Sequence, residues 1–164
     1  MVLRKFRKDD LEQVASLIHR TYKKFNNNEF FEKEALQNYL NHYNLKVNSS
    51  ENLLKNFKRS TIFYVFEENK KIIGMIRGTD TKIINLFVDA KQQRKGLGRK
   101  LVEKFEKEAI ELGSSEIKIR ASLYAVAFYQ RMNYKKTTGL RNFRGLKIIP
   151  MKKVLYSHIF SSNS

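Results

Sequence analysis

Residues 88–100 read VDAKQQRKGLGRK, and this stretch decides how the chain is organised. It joins an apolar segment to an amphipathic helix, whose N-terminus presents unpaired backbone N–H groups and the positive end of its dipole. Gly96 and Gly98 let a ligand come close to the backbone without interference from a Cβ atom. The glycines are flanked by four basic side chains, Arg94, Lys95, Arg99 and Lys100. The stretch predicts a phosphate-binding loop between a strand and a helix, although a plain glycine turn would show the same spacing.

The segments on either side of this loop predict a strand–helix–strand unit. Residues 82–88 are apolar and β-branched, as expected for a strand, and residues 61–66 and 72–76 predict a hairpin before it. The helix after the loop has apolar residues at helical spacing up to Gly113, a typical C-terminal glycine. An alternating strand follows at 116–121. A right-handed crossover through the helix predicts that this strand pairs parallel with 82–88.

The N-terminal third of the chain predicts one short strand and three helices. Residues 2–6 predict the strand, and the first helix is expected to begin at Asp9 with Glu12 in a capping box. Asn28 is expected to cap a second helix, because its side chain can accept from the first-turn N–H groups. Residues 51–58 predict a short third helix.

The C-terminal part predicts a helix followed by two strands. The helix is expected over 124–132, with Asn133 as a left-handed cap. The strands are expected near 134–138 and 147–155. Pro150 predicts that the last strand lies at an edge of the sheet or starts irregularly, because proline donates no hydrogen bond.

Composition indicates one soluble domain. The 164 residues are 41% hydrophobic and no linker divides them, so we expect a single domain over 1–164 with a frayed tail at 156–164. The absence of cysteine excludes disulfides and a cysteine nucleophile, and the histidines lack metal-ligand spacing, so no metal is expected. No apolar leader and no run of ~18 apolar residues is present, which predicts a cytoplasmic protein without a membrane partner.

The chain carries a large excess of positive charge. Lys and Arg number 33 against 16 Asp and Glu, which gives a formal net charge of +17. Such a charge attracts polyanions, and both a nucleic acid and an anionic cofactor are candidates. A solvated, lysine-rich surface without a partner is the alternative interpretation.

Two motifs resemble the GCN5-related N-acetyltransferase (GNAT) family. Residues 93–98, QRKGLG, match the family's Q/R-x-x-G-x-G/A signature, and residues 121–134, ASLYAVAFYQRMNY, are similar to its strand–helix segment ending F-Y-E-K-L-G-F. The resemblance implies an α/β (or α+β) fold with a mixed, mostly antiparallel sheet, one splayed parallel pair and flanking helices. Ser122 stands where the family often has Asn, and Asn133 stands where it has Gly.

The resemblance implies acetyl-coenzyme A (acetyl-CoA) as the acetyl donor. The diphosphate would lie on the loop's backbone N–H groups, with Gln93 bracing the loop, and the pantetheine arm would lie in a gap beside residues 86–88. The Val88 N–H would polarise the thioester carbonyl, since a fixed donor there meets the negative charge that develops. The implied cofactor-binding residues are Leu86, Phe87, Val88, Gln93, Arg94, Lys95, Gly96, Leu97, Gly98, Arg99, Lys100, Ser122 and Tyr129.

Tyr129 is the implied general acid. It aligns with the tyrosine that often protonates the departing CoA thiolate in this family, and a phenol of pKa about 10 suits that transfer. The alternative is an aromatic side chain that only packs beside Phe128. No general base can be assigned from the sequence. Asp80 and Glu67 are nearby candidates and ordered water is another, although surface charge is the simpler explanation of each carboxylate.

The acceptor is expected on the side of the first two helices, which often line the acceptor site in the family. There Glu29, Phe30 and Glu32 form a local acidic and aromatic island, which predicts a contact for a cationic amine. A solvent-exposed helix start is the alternative, because acidic residues commonly occupy first turns.

Taken together, the resemblance implies transfer of an acetyl group from acetyl-CoA to a primary amine on a small molecule or peptide, by direct attack in a ternary complex. Two alternatives remain open. One is a non-catalytic acetyl-CoA-binding protein. The other is a basic nucleic-acid-binding module, in which residues 143–144 and 134–136 place aromatics beside cations, although no named nucleic-acid motif is present. A homodimer through exposed strands is also compatible with the resemblance.

Overall fold

The computed structural model describes residues 1–156, so the tail at 157–164, part of the predicted frayed end, lies outside the described residues. The helices are α1 (Leu11–Phe25), α2 (Lys33–His42), α3 (Ser50–Phe57), α4 (Leu97–Glu111) and α5 (Val126–Arg131). The strands are β1 (Val2–Lys5), β2 (Ile62–Glu68), β3 (Lys71–Thr79), β4 (Lys82–Val88), β5 (Glu116–Ser122), β6 (Lys135–Lys136), β7 (Arg141–Phe143) and β8 (Leu146–Val154).

The eight strands form one sheet in the order β1-β2-β3-β4-β5-β8-β6, with β7 also paired to β8. The pairing of β4 with β5 is parallel, and the other pairings are antiparallel. This confirms the predicted mixed, mostly antiparallel sheet. The left-handed turn residues Gly113 and Asn133 are also confirmed, with φ of +93° and +70°. No helix among residues 1–156 is long and apolar enough to cross a membrane.

Helices cover both faces of the sheet. The apolar side of α4 packs on one face and forms the larger core with β2, β4, β5 and β8. Helices α1 and α3 cover the other face over β2 and β3, where Leu17, Ile18 and Leu53 are fully buried, and α2 packs on β8 through Ala35. The helical periodicity read from the sequence therefore identifies the buried sides of α1 and α4.

The parallel pairing between β4 and β5 is very short. It joins Lys82 to Lys118 and Ile83 to Ile119, and no later residue of β4 pairs with β5. Immediately afterwards a β-bulge shifts the register between β4 and β3. A bulge bends and twists its strand. The two strands therefore separate, and a gap opens between residues 84–88 of β4 and residues 120–122 of β5.

Both predicted helix starts are wrong, the first because of hydrogen bonds among residues 4–10 and the second because of a contact with β8. A 3-10 turn at Lys8–Asp10 precedes α1, and the Asp10 carboxylate accepts the Arg7 N–H at 2.7 Å and the Arg4 guanidinium at 2.8 Å. The predicted capping box at Asp9 is therefore absent. The second helix begins at Lys33, well after Asn28. The segment between Asn28 and Lys33 is held against β8, because Phe30 forms an isolated antiparallel β-bridge with Leu146.

The prediction of an edge position for the last strand is also wrong. Strand β8 pairs with β5 on one side and with β6 and β7 on the other, and β7 was not predicted. The Pro150 carbonyl accepts the Thr137 N–H at 3.0 Å. Because the N–H and C=O of one residue point to the same side of a strand, the missing Pro150 donor faces the break between β6 and β7.

A buried arginine connects the sheet to α3. Arg77 is 3% exposed, and its guanidinium donates to Asn85 Oδ1 at 2.7 Å, Ser60 Oγ at 3.1 Å and Asn56 Oδ1 at 3.1 Å. It also lies 4.7 Å from the centre of the Phe57 ring. None of the ion pairs among residues 1–156 includes Arg77. A buried charge needs hydrogen bonds to be tolerated, so these neutral acceptors are structural requirements.

We expect Asn85→Leu to lower the free energy of unfolding by about 2 kcal/mol or more, because it leaves a buried, charged donor without its acceptor. Urea denaturation followed by circular dichroism measures this change. In the Asn85→Leu background, Arg77→Met should recover part of the loss, since it removes the unsatisfied charge. Unchanged stability of Asn85→Leu would show that the Arg77 contacts are not needed.

Candidate functional site

The glycine loop turns the chain so that the N-terminus of α4 lies at the end of β4. Arg94 and Gly96 both have positive φ, of +63° and +82°. Glycine suits the second of these positions because it has no Cβ to clash. Gly96 is also the N-cap of α4, so no side-chain cap is present, and the first turn holds no acidic residue. The first N–H groups of this helix therefore lack side-chain acceptors.

The basic side chains of the loop are not neutralised by neighbouring carboxylates. All four are exposed, and none forms an ion pair within residues 1–156. Lys95 donates to the Gln92 side-chain oxygen at 3.1 Å. A helix N-terminus with unpaired cations around it attracts a multiply charged anion. This donor set fits a diphosphate.

Gln93 connects the two sides of the gap. Its Nε2 donates to the Val88 carbonyl at 3.1 Å, and its Oε1 accepts the Tyr124 hydroxyl at 2.9 Å. Gln93 follows β4, whereas Tyr124 follows β5. The Tyr124 ring stacks on Phe25 at the end of α1, with 4.8 Å between ring centres. The hydrogen bond between Tyr124 and Gln93 therefore spans the open end of the gap.

The backbone of Val88 is directed into this gap. The Asp89 N–H donates to the Ile73 carbonyl of β3 at 2.8 Å, so Asp89 faces β3. Successive residues of a strand direct their backbone groups to opposite sides. The Val88 N–H and carbonyl therefore point away from β3, and the carbonyl is the one that Gln93 reaches. An N–H in this direction suits the contact to a thioester carbonyl, which stays a prediction.

Apolar and small side chains form the surroundings of the gap. Leu86 packs against the core beneath α4. Phe87 packs on the opposite face of the sheet against α1, with 6.3 Å between the centres of its ring and the Tyr22 ring. Ser122 ends β5 and is half-buried. Packing also favours glycine at position 98, in addition to the close approach of a ligand, because a Cβ atom there would lie 3.3 Å from the Phe128 ring. The second glycine thus lets α4 pack closely against α5.

Tyr129 is buried in the core beside α4. It is 2% exposed, and its ring meets those of Phe128 and Tyr134 edge-on at 5.1 and 5.3 Å. Burial raises the pKa of the Tyr129 hydroxyl, and no neighbouring charge contributes. The phenol therefore keeps its proton at neutral pH, as a general acid must before it acts. Its packing role is visible here, and its catalytic role stays a prediction.

The three residues predicted to contact an acceptor, Glu29, Phe30 and Glu32, differ in their exposure to solvent. Glu29 is 8% exposed, and its carboxylate accepts the Asn26 side-chain amide at 2.8 Å and the Tyr124 N–H at 2.9 Å. The alternative interpretation of Glu29 as a solvent-exposed residue of a helix start is wrong, because Glu29 is buried and lies before α2, whereas its contact with an acceptor stays a prediction. Glu32 is exposed at the start of α2, and Phe30 is half-buried. Their contact with an acceptor stays a prediction.

Neither candidate carboxylate for a general base lies free beside Val88. Glu67 pairs with Arg4 at 2.7 Å, on the β1 side of β2. Asp80 accepts the Ser114 hydroxyl at 3.3 Å and lies in the turn before β4. At a rise of about 3.3 Å per residue, that turn is roughly 25 Å from Val88 along the strand. The structure therefore gives no support for either Glu67 or Asp80 as the general base.

Sequence reasoning missed Tyr124 as a member of the site. It follows β5 within the motif that carries the family resemblance, but its partners Gln93 and Glu29 are distant in sequence. An aromatic residue just after a strand gives no local signal for such contacts. Only the folded arrangement of β4, β5 and the segment before α2 brings these groups together.

Comparisons with known proteins agree with this fold. N-acetyltransferase 8 of Homo sapiens is 31% identical over 93 residues, which cover 49% of this chain and 41% of that protein. The chain therefore matches less than half of this relative's length. A crystal structure of a GCN5-related N-acetyltransferase from Rhodopseudomonas palustris has a TM-score of 0.78 at 16% identity, covering 94% of this chain and 95% of the other.

A second solved structure is the PaiA N-acetyltransferase of Thermoplasma acidophilum in complex with coenzyme A. It has a TM-score of 0.73 at 19% identity, covering 94% of this chain and 98% of the other. The family model described as an acetyltransferase (GNAT) domain matches residues 23–155, which include the sheet from β2 to β8 and the glycine loop. The chain belongs to the GNAT family of acetyltransferases.

Proposed function

We propose that this protein transfers an acetyl group from acetyl-CoA to a primary amine by direct attack in a ternary complex. The observation that carries the proposal is the N-terminus of α4, which has no side-chain cap and is surrounded by unpaired cations beside the gap between β4 and β5. Membership of the GNAT family supports acetyltransferase activity. The likeness to a structure that contains coenzyme A supports the choice of donor.

The residues that would hold acetyl-CoA fall into two groups. The backbone N–H groups of residues 94–99, with the loop cations, would bind the diphosphate. Residues 86–88 and Ser122 would border the pantetheine arm, and Gln93 would keep the loop in place through Val88. When bound, acetyl-CoA supplies an acetyl group activated as a thioester.

Two groups of the chain would promote the transfer. The Val88 N–H is a fixed donor directed into the gap, where it would stabilise negative charge on the carbonyl oxygen. The nitrogen–carbon bond that forms replaces the carbon–sulfur bond that breaks. The Tyr129 hydroxyl would donate its proton to the departing sulfur, and the amine would lose a proton to water or to a base not yet identified.

The acceptor class is proposed to be a small molecule or a peptide with a primary amine. Acetyl-CoA incubated with the protein and a panel of amines, amino acids and peptides should release free thiol only in the presence of an accepted amine. Acetyl-CoA binding without thiol release across the panel would instead identify a non-catalytic acetyl-CoA-binding protein and overturn the proposed reaction.

We expect Tyr129→Phe to lower kcat at least tenfold, because general acid catalysis typically supplies about 10²–10⁴-fold. The KM for acetyl-CoA should change little, because phenylalanine keeps the ring packing. Steady-state kinetics of thiol release measure both values.

The matched control is Tyr134→Phe. Tyr134 belongs to the same aromatic cluster, but its hydroxyl donates to Glu106 of α4 at 3.1 Å. Its kcat should equal that of the wild type. If both variants have the wild-type kcat, Tyr129 only packs and is not the general acid.

Tyr124→Phe removes the hydroxyl that holds the Gln93 side chain. One hydrogen bond contributes about 1 kcal/mol, so the KM for acetyl-CoA should rise about fivefold while kcat stays nearly constant. Tyr156→Phe, at an exposed tyrosine, serves as the control. A lower KM in Tyr124→Phe would contradict the bracing role and show that the bond obstructs the gap.

A further inference from the structure

A row of lysines crosses the sheet on the face that α1, α2 and α3 cover only in part. The strand register pairs Lys82 with Lys118, Lys118 with Lys152, and Lys152 with Lys135. Residues in register lie on the same face, and neighbouring strands are about 4.8 Å apart. The row therefore spans roughly 14 Å across four strands. Lys118, Lys135 and Lys152 are exposed, and Lys82 is half-buried.

The stability of the fold does not explain this row. Like charges directly opposite each other on neighbouring strands are destabilising. Glu116 is the carboxylate that reaches the row, at 3.7 Å from Lys118 and 3.8 Å from Lys152. Exposed pairs at such distances contribute little. The row therefore keeps a net positive charge that an external anion would neutralise.

An aromatic ring between two arginines adjoins the row. The guanidinium groups of Arg120 and Arg144 lie 4.2 and 5.2 Å from the centre of the Phe143 ring. Burial and the charges of these two arginines lower the pKa of Lys82, so they share one local field with the row. Tyr134, by contrast, is buried and unavailable for stacking, which corrects its place in the predicted interleaved pattern.

We propose that this basic face binds single-stranded nucleic acid; it comprises Lys82, Lys118, Lys135, Lys152, Arg120, Phe143 and Arg144. Evenly spaced cations follow a phosphate backbone, and the guanidinium planes of Arg120 and Arg144, supported by the Phe143 ring, offer surfaces on which bases stack. An acidic peptide would use the charges but would not stack on these planes. Arg120 also belongs to the part of β5 that borders the gap.

The test is fluorescence anisotropy of a labelled single-stranded RNA of about 12 nucleotides, within the usual site size, titrated over a range of salt concentrations. The double variant Lys118→Gln/Lys152→Gln should weaken binding about tenfold. Its plot of log affinity against log salt should be shallower by about 1.4, since each lost phosphate contact on a single strand removes about 0.7. Circular dichroism checks that the variant is folded.

The matched control is Lys55→Gln/Lys58→Gln, which removes the same charge from the exposed surface around α3. Its affinity should stay within about twofold of the wild type, because distant charges are screened. Equal weakening by both double variants would overturn the proposal, since it would show attraction by overall charge. No binding at physiological salt would also overturn it.

Two further measurements separate nucleic acid from an acidic protein as the partner. Phe143→Leu should weaken RNA binding several-fold without changing the salt slope, because stacking does not depend on counterion release. Polyglutamate should compete poorly. Competition equal to that of unlabelled RNA would overturn the proposal in favour of an acidic protein. All titrations omit acetyl-CoA, so failure here leaves the proposed acetyl transfer untouched.

Discussion

The short parallel contact between β4 and β5 is the constraint on which the rest of this structure depends. Pairing stops after Ile83, where a bulge shifts the register of β4 against β3 while β5 continues beside β8. Strand β4 therefore stays paired with β3, and β5 stays paired with β8. The sheet remains continuous although β4 and β5 separate in its middle. That opening brings the backbone of Val88, the end of β5 and the start of α4 around one space.

Electrostatics and hydrogen bonding then give the opening its chemical character. The positive end of α4 and the unpaired loop cations lie at one end of it, which favours an anionic ligand. Gln93 and Tyr124 connect its two sides, and Glu29 connects Tyr124 to the segment before α2. The proposed donor site and the proposed acceptor side are therefore joined by three side chains. Neither local secondary structure nor apolar packing alone would produce this connection.

Much of the fold was predictable because its signals are local. The periodicity of α1 and α4, the hairpin of β2 and β3 and the turn glycines all depend on residues close in sequence. The start of α2 was not predictable in this way, because the segment before it is held by a β-bridge between Phe30 and Leu146 of β8. The start of α1 was misplaced although the contacts of Asp10 with Arg4 and Arg7 are local.

The site shows the same division between local and distant signals. The glycine loop and its cations are contiguous, so the motif could be read from the sequence. No feature of the amino-acid sequence predicts the bulge. The buried Arg77 reaches its acceptor Asn56 only because α3 packs on the sheet. The burial of Glu29 was not predictable, because it depends on a hydrogen bond from the Tyr124 N–H, which is distant in sequence.

The central claim is that the start of α4 binds the diphosphate of a coenzyme A thioester. Isothermal titration calorimetry tests it with coenzyme A and, separately, with pantetheine, which lacks the diphosphate and the adenosine 3′-phosphate; dephospho-coenzyme A, which keeps the diphosphate but lacks the 3′-phosphate, is the control and should bind nearly as tightly as coenzyme A. We expect coenzyme A to bind at least about tenfold more tightly than pantetheine, because charge-assisted hydrogen bonds at the loop are lost with the diphosphate. Equal affinities, or no heat with coenzyme A, would contradict it.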